Sequence, residues 1–538
     1  MRSADRKPTR SPQNPGAQCL ATARDRLAAD LAARVGADGA VASPCASRTL
    51  ETALVVALLR ETELNAPALR RARRHLSSRP TAHAFDRALA AAALGRPDAA
   101  APGRALDWLV GFDHFTADRK RLLFTTVLAA LDVPGFAPPD LAAEIGYRGL
   151  APWVELLLCA SRVLRLLAGG EPVDAHVAFL VRQLEHGSTK RVWQGNVLAH
   201  ALALIALHRS APGHPLVGRG VAGLLSVQND DGGMPFIEGM NVFCTAISGI
   251  ALAAAAPAAP SDGAGPSTLL AMGDFLARQQ LPNGGWGYTA GVTQGDSDDT
   301  AYCLQFLGSV DPLRYAQQLD AGLTNLVQHA NPDGGIPTFL PGHPSEVTMT
   351  AGAVTVLAGH PARRPEVLRA AVDFLLAEHV NGVTYERSWS RSESNSIYRV
   401  VTALRAAAPL QDARRRQEIA GAVAAATRRL AQCQRADGGW GQVPGEPSDA
   451  LSTAYALLAT GRGSAPSWGA GLAYLLTQQG NDGRIVSRPD QAAPRPLPYD
   501  VPVLADAFAL WALGTLGPRP DAPAAGAAPS ARFGEVTR

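Results

Sequence analysis

Lysine is nearly absent from this chain: Lys7, Lys120 and Lys190 stand against a basic complement otherwise carried by arginine. With 50 basic and 47 acidic residues the formal net charge is only +3, which excludes the broad positive field by which a protein collects nucleic acid. Close cysteine pairs are also missing. The six cysteines, Cys19, Cys45, Cys159, Cys244, Cys303 and Cys433, are scattered, which argues against a disulfide framework or a zinc ribbon and fits a reducing cytoplasm. Long apolar runs are absent too. Segments such as residues 53–59 and 202–207 fall short of the roughly 20 residues that cross a bilayer, and the polar, Pro-rich start lacks the apolar stretch of a signal peptide.

What is present is 538 residues, 47% of them hydrophobic, enough for two or three domains with ordinary cores. An internal repeat organises them. Phe275-Leu276-x3-Gln280-x3-Gly284-Gly285-Trp286 and Leu430-x3-Gln434-x3-Gly438-Gly439-Trp440 share one spacing, and Leu224-x3-Gln228-x3-Gly232-x-Met234 and Leu475-x3-Gln479-x3-Gly483-x-Ile485 keep it without the tryptophan. A further copy, around Gln328 and Asp333-Gly334-Gly335-Ile336-Pro337, has one extra residue in its turn. Most copies lead into an Ala-rich segment, as at Cys244-Thr245-Ala246, Asp299-Thr300-Ala301 and Ser452-Thr453-Ala454.

Residue types explain the pattern. Leu and Gln four apart share a helix face, with Leu packed inward and the Gln amide free to bond backbone groups at the helix end. The glycines then permit the positive φ that stops a helix. A single helix pair cannot bury its apolar face, so such units stack into a closed or curved array. The fold expected is all-α, of helix-turn-helix repeats. Residues 1–18 and 518–538 read as disordered tails, and 254–266 as a linker. The linker separates a helical domain over 19–253, whose first helix is open to either domain, from the repeat domain over 267–517.

Asp296-Ser297-Asp298-Asp299-Thr300-Ala301 follows the best repeat and opens an apolar helix. Helix capping explains one aspartate, or two. A third points to proton donation: clustered carboxyls in a poorly solvated cavity cannot all ionise cheaply, so one keeps its proton at neutral pH. Such a donor also requires groups that stabilise the carboxylate left behind.

The Asp-x-Asp-Asp-Thr-Ala motif behind a Gln-x3-Gly-x-Trp repeat resembles the class II terpene cyclases, which include squalene-hopene cyclases and copalyl-type diphosphate synthases. Repeats and motif cover about residues 220–485, and Ser43-Pro44 to Glu51-Thr52-Ala53 is similar to the family's N-terminal Ser-x-Tyr-Asp/Glu-Thr-Ala element, with Leu50 where that element has Tyr. The resemblance implies two α/α-barrel domains in a βγ arrangement with the cavity between them. It also implies Asp298 as general acid, tuned by Asp296 and Asp299. Neither Asp230-Asp231 nor Asp298-Asp299 continues into an Asp-Asp-x-x-Asp motif, so a diphosphate on the substrate is expected to remain on the product.

The compact repeat set is closer to bacterial diphosphate synthases than to squalene cyclases. Geranylgeranyl diphosphate, giving a copalyl or labdane skeleton, is the first expectation; farnesyl diphosphate, giving drimenyl diphosphate, is the second; and a squalene-type reaction is the third. Lys190 and Arg191 are candidates for the diphosphate and Glu51 for Mg2+. Tyr385, Trp389 and Tyr398 are candidate aromatic walls for a carbocation, and Ser345 or Glu346 a partner for Asp298. Trp286 and Trp440 are assigned to packing. A downstream class I synthase or phosphatase would act on the product. Two rivals come from other classes. A protein prenyltransferase β-subunit would use Asp299 and Cys303 for zinc but lacks a third ligand here, and a noncatalytic helical scaffold would use the aspartates as a cap only.

Overall fold

The computed structural model describes residues 17–79, 81, 83–96, 104–109, 112, 114–140, 145–256, 265–379, 389–461 and 466–516. Most of the expected tails and linker, and Tyr385, lie outside these residues. Helices dominate, and among the described residues a two-stranded sheet pairs Ser47–Arg48 antiparallel with Met234–Pro235. No described helix is long and apolar enough to cross a membrane.

Six helices form an inner ring: Asn241–Ala255, Ser297–Val310, Val347–Ala358, Glu393–Ala407, Ala450–Thr460 and Val503–Leu516. Each packs on the next, and the last closes on the first. Pro266–Gln279, Ala316–Gln328, Pro365–Ala377, Ala413–Cys433 and Pro466–Thr477 lie outside the ring, and Ala17–Ala33, against the last and first inner helices, supplies the sixth outer position. Leu27 and Leu31 anchor that helix, fully buried. The N-terminal helix thus belongs to the repeat barrel. Asn241–Ala255 does as well, so the change of domain falls before Asn241 rather than at residues 254–266.

The second domain arranges Thr49–Thr62, Ala84–Ala93, Ala117–Ala130, Pro152–Ala168 and Val197–Ser210 around its own core. A Phe85, Trp108 and Phe124 cluster joins its second and third members.

The repeat chemistry is visible in hydrogen bonds. In four copies the Gln amide donates to the turn glycine's carbonyl: Gln228 to Gly232, Gln280 to Gly284, Gln434 to Gly438 and Gln479 to Gly483. The Trp286 indole donates to Leu276 O and the Trp440 indole to Leu430 O, at 2.7 and 2.8 Å. Both tryptophans are buried, so they lock each turn to its outer helix. Every such turn delivers the chain to the start of an inner helix at the same end of the barrel, and that end faces the second domain.

Candidate active site

The first turn of Ser297–Val310 carries the aspartates into a cavity between the two domains. Asp296 is the N-cap, accepting from the Asp299 amide at 2.8 Å. Ser297 ties the turn to the neighbouring loop, its amide donating to Thr338 O at 2.9 Å and its hydroxyl to Pro337 O at 2.7 Å. Asp298, free of capping duty, pairs with the guanidinium of Arg399 on Glu393–Ala407. Asp299 is buried, and its Oδ1 has no hydrogen-bond partner among the described residues. Burial pushes Asp296 up to about 6. Burial, reinforced by the charge of Asp296 beside it, holds Asp299 well above the carboxylate range. Asp299 therefore keeps a proton in the cluster at neutral pH, and Arg399 is placed to meet the charge left when a proton departs.

All three aspartates line the cavity. Its walls are aromatic: Trp153 comes from the second domain, Phe236 from the connection, and Phe243, Tyr288, Phe339 and Trp389 from the barrel. The π faces of such rings stabilise positive charge without trapping it.

A second hollow adjoins it. Trp153, Thr338, Phe339 and Trp389 line both, and beyond them Arg119, Lys120, His343 and Arg495 face Glu346. Arg495 is buried, lies 4.5 Å over the Trp389 ring and pairs with Glu346 at 3.3 Å. His114 bonds the other side of Arg495 at 2.8 Å. Burial and the neighbouring Arg495 and Arg119 push Lys120 down to about 7, and burial and Arg495 hold His114 down to about 4. This chamber has an excess of positive charge over its one carboxylate.

The sequence-derived candidates divide. Trp389 lines both spaces and donates its indole N–H to Thr338 at 3.1 Å. Tyr398 is buried in the barrel, stacked on Tyr455, and does not line the cavity. Lys190 is not at the chamber: its ammonium bonds Ala290 O at 3.0 Å and Glu238 at 3.1 Å, so it pins a barrel loop to the second domain. Arg191 is exposed at the surface. Glu51 is fully buried and held through both carboxylate oxygens by Arg48, so it does not fit a magnesium ligand. Among the described residues, no group of three or more His, Cys, Asp or Glu is placed to hold a metal, and Cys303 remains a buried thiol raised well above its usual range by that burial. Ser345 and Glu346 turn elsewhere, Ser345 to Asp333 at 2.8 Å and Glu346 to Thr338 at 2.7 Å; Arg399 takes the place expected of them.

Comparison with known proteins agrees with this geometry. A drimenyl diphosphate synthase from Streptomyces showdoensis is 42% identical over 544 residues, covering 96% of this chain and 99% of that protein. The chain belongs to the class II terpene cyclases. A second drimenyl diphosphate synthase, from Streptantibioticus cattleyicolor, is 40% identical, covering 94% of this chain and 96% of its own length. The fold of this cyclase matches that of ent-copalyl diphosphate synthase from Streptomyces platensis with a TM-score of 0.54, at 20% identity, over 92% of this chain and 99% of that one. No protein-family model matches the chain.

Proposed function

We propose that this cyclase converts farnesyl diphosphate to drimenyl diphosphate. The diphosphate would lie in the basic chamber of Arg119, Lys120 and Arg495, and the prenyl chain would pass the shared aromatic wall into the aspartate cavity. The observation that carries this reading is that wall, because it joins an anion-attracting chamber to an acid one through Trp153, Phe339 and Trp389. The two relatives named drimenyl diphosphate synthase bring the farnesyl chain ahead of the geranylgeranyl one.

Chemistry begins when Asp298 protonates the terminal alkene, with Arg399 stabilising the carboxylate that remains. Two ring closures move the cation along the chain past the aromatic walls, and loss of a proton ends the sequence. The diphosphate leaves intact with the product, ready for a phosphatase or a class I synthase. Magnesium enters this proposal only as an ion carried by the diphosphate, since Mg2+ commonly keeps waters and substrate phosphate oxygens as ligands.

The experiment incubates the protein and its Asp298→Asn variant with magnesium and farnesyl, geranylgeranyl or squalene substrates, then treats with phosphatase and analyses by mass spectrometry. A bicyclic C15 alcohol seen only after phosphatase, and reduced at least about 10³-fold in the variant, is expected for loss of a general acid. A C20 bicycle made faster than the C15 one moves the assignment to the copalyl branch, cyclised squalene moves it to the triterpene branch, and equal activity in the variant removes Asp298 from the chemistry.

A further inference from the structure

A bicyclisation that starts at the terminal alkene finishes at the other end of the chain. In farnesyl diphosphate the first proton goes to C10, closure of the C6–C11 bond leaves charge on C7, and closure of the C2–C7 bond leaves it on C3. C3 lies two bonds from C1, the carbon that carries the diphosphate. The proton lost at the end, from C4 or from the methyl on C3, is therefore removed at the wall shared with the basic chamber, not beside the aspartates.

Trp153, Thr338, Phe339 and Trp389 line both spaces. The aromatic rings stabilise a cation but do not take its proton. Thr338 carries a hydroxyl. Its carbonyl accepts from the Ser297 amide at 2.9 Å, which ties it to the turn bearing the acid. Its Oγ1 accepts from the Trp389 indole at 3.1 Å and donates to Glu346 Oε1 at 2.7 Å. A hydroxyl oxygen has two lone pairs, so among the described residues the indole leaves one unused. Behind it Glu346 is buried and ion-paired to Arg495 at 3.3 Å. The other hydroxyls of the cavity lack such backing. Tyr288 donates to Gln194 O and Tyr499 to Met240 Sδ, and neither acceptor keeps a proton near pH 7. Gln491 leans on the buried Asp490 at 3.3 Å, but an amide does not pass a proton on as a hydroxyl does.

We infer that Thr338 and Glu346 together form the base that ends the reaction. The cation at C3 loses a proton from an adjacent carbon, and the C–H electron pair becomes the alkene. Thr338 Oγ1 takes that proton while its own passes to Glu346 Oε1. As product leaves, Glu346 gives the proton to water on the chamber side, and the net reaction stays an isomerisation. The diphosphate sharpens this base: drawn to Arg495, it shares the positive charge that Glu346 otherwise holds, so the carboxylate accepts a proton more readily with substrate in place. The inference rests on the proposed reaction of farnesyl diphosphate. A geranylgeranyl chain cyclised to the same stage leaves its charge on C7, four carbons further from the diphosphate.

The test runs the full chain with magnesium and farnesyl diphosphate, then phosphatase and mass spectrometry, on the wild type, Thr338→Val, Thr338→Ser and Glu346→Gln. Valine keeps the shape and removes the hydroxyl. Thr338→Val should slow turnover at least about tenfold and divert about half or more of the product to isomeric alkenes and a water-captured bicyclic diol. Glu346→Gln should divert product in the same way, since glutamine still accepts the hydrogen bond but does not keep the proton. Thr338→Ser should make the wild-type alkene alone. An unchanged product spectrum in Thr338→Val, at whatever rate, overturns the assignment and turns it to the substrate's own diphosphate, and an unchanged spectrum in Glu346→Gln overturns the pair. A wild type that forms no bicycle from farnesyl diphosphate overturns the proposed reaction itself, and the base with it, before any variant is compared.

Discussion

Asp449 is the internal control for the aspartate motif. It stands where Asp296 stands, at the N-cap of an inner helix three repeat steps on, and accepts from the Ser452 amide at 2.8 Å as Asp296 accepts from Asp299. Thr453, Ala454 and Tyr455 then repeat Thr300, Ala301 and Tyr302, but Leu451 and Ser452 replace Asp298 and Asp299. Capping accounts for the first aspartate and leaves the other two for chemistry. The cost of gathering them is measurable. A carboxyl held at about 6 in the fold, against 3.8 unfolded, makes the native state the stronger proton binder. Its penalty is therefore complete above pH 6 and fades as pH falls toward the unfolded value. Asp296→Asn keeps the cap, because asparagine caps as well as aspartate, and removes a penalty of about 3 kcal/mol. Thermal unfolding should show a Tm a few degrees above wild type at pH 8 and a shrinking difference toward pH 4, with turnover reduced. A lower Tm at pH 8 would mean that the charge at Asp296 stabilises the fold.

At the scale of the element, the repeat turn is a fitted part. Gly438 and Gly445 both have positive φ, +90° and +89°, yet only the first has no room, a Cβ there falling 2.4 Å from Ala470 O whereas one at Gly445 meets nothing within 4 Å. Alanine should cost about 1–2 kcal/mol at Gly445, from backbone strain alone, and at least about 2 kcal/mol more at Gly438, where an outer helix must move. Denaturant unfolding of the two variants compares them directly, and equal losses would show that the outer helix yields freely. This turn was legible in the sequence because its parts are close together in the chain: a Gln whose amide reaches the glycine carbonyl four residues on, and a Trp whose indole reaches back ten. The aspartate cluster was legible for the same reason. Arg399 was not, because it meets Asp298 across 101 residues from a helix without a motif, and the family resemblance points to the loop of Ser345 and Glu346 for that place. Lys120 carried a weak signal, a lysine in a nearly lysine-free chain leading into the buried run Leu122, Leu123 and Phe124. Arg495 carried none.

At the scale of the molecule, the site exists only where the two domains meet. The barrel contributes the acid, Arg495, Phe339 and Trp389, while the second domain contributes Arg119, Lys120 and Trp153. The loop following Trp286 is held to the barrel by Asn241, which accepts from Thr289 and the Ala290 amide, and across the junction by Lys190, which donates to Ala290 O, and Gln194, which donates to Thr293. The basic chamber at this junction predicts a proton-linked binding step. Lys120, its ammonium 5.4 Å over the Trp153 ring, shares the chamber with Arg119, Arg495, His114 and His343 on the cationic side and Glu346 on the anionic side. At pH 8 a lysine pushed down to about 7 is mostly neutral. A diphosphate entering beside it favours the ammonium, so binding draws a proton from buffer, and affinity falls as pH rises through and beyond 7. His114, held to about 4, stays neutral across that range unless the diphosphate shifts it much further. Calorimetry with farnesyl diphosphate and the noncyclising Asp298→Asn variant, in two pH 8 buffers of different ionisation enthalpy, should register uptake approaching about one proton per substrate. Adding Lys120→Arg should abolish the uptake while keeping affinity near that of its parent, because arginine is already charged, and Lys120→Met should abolish uptake and weaken binding about tenfold. Uptake that persists in Lys120→Met would move the titrating group to one of the histidines, and binding unchanged in that variant would place the diphosphate outside this chamber.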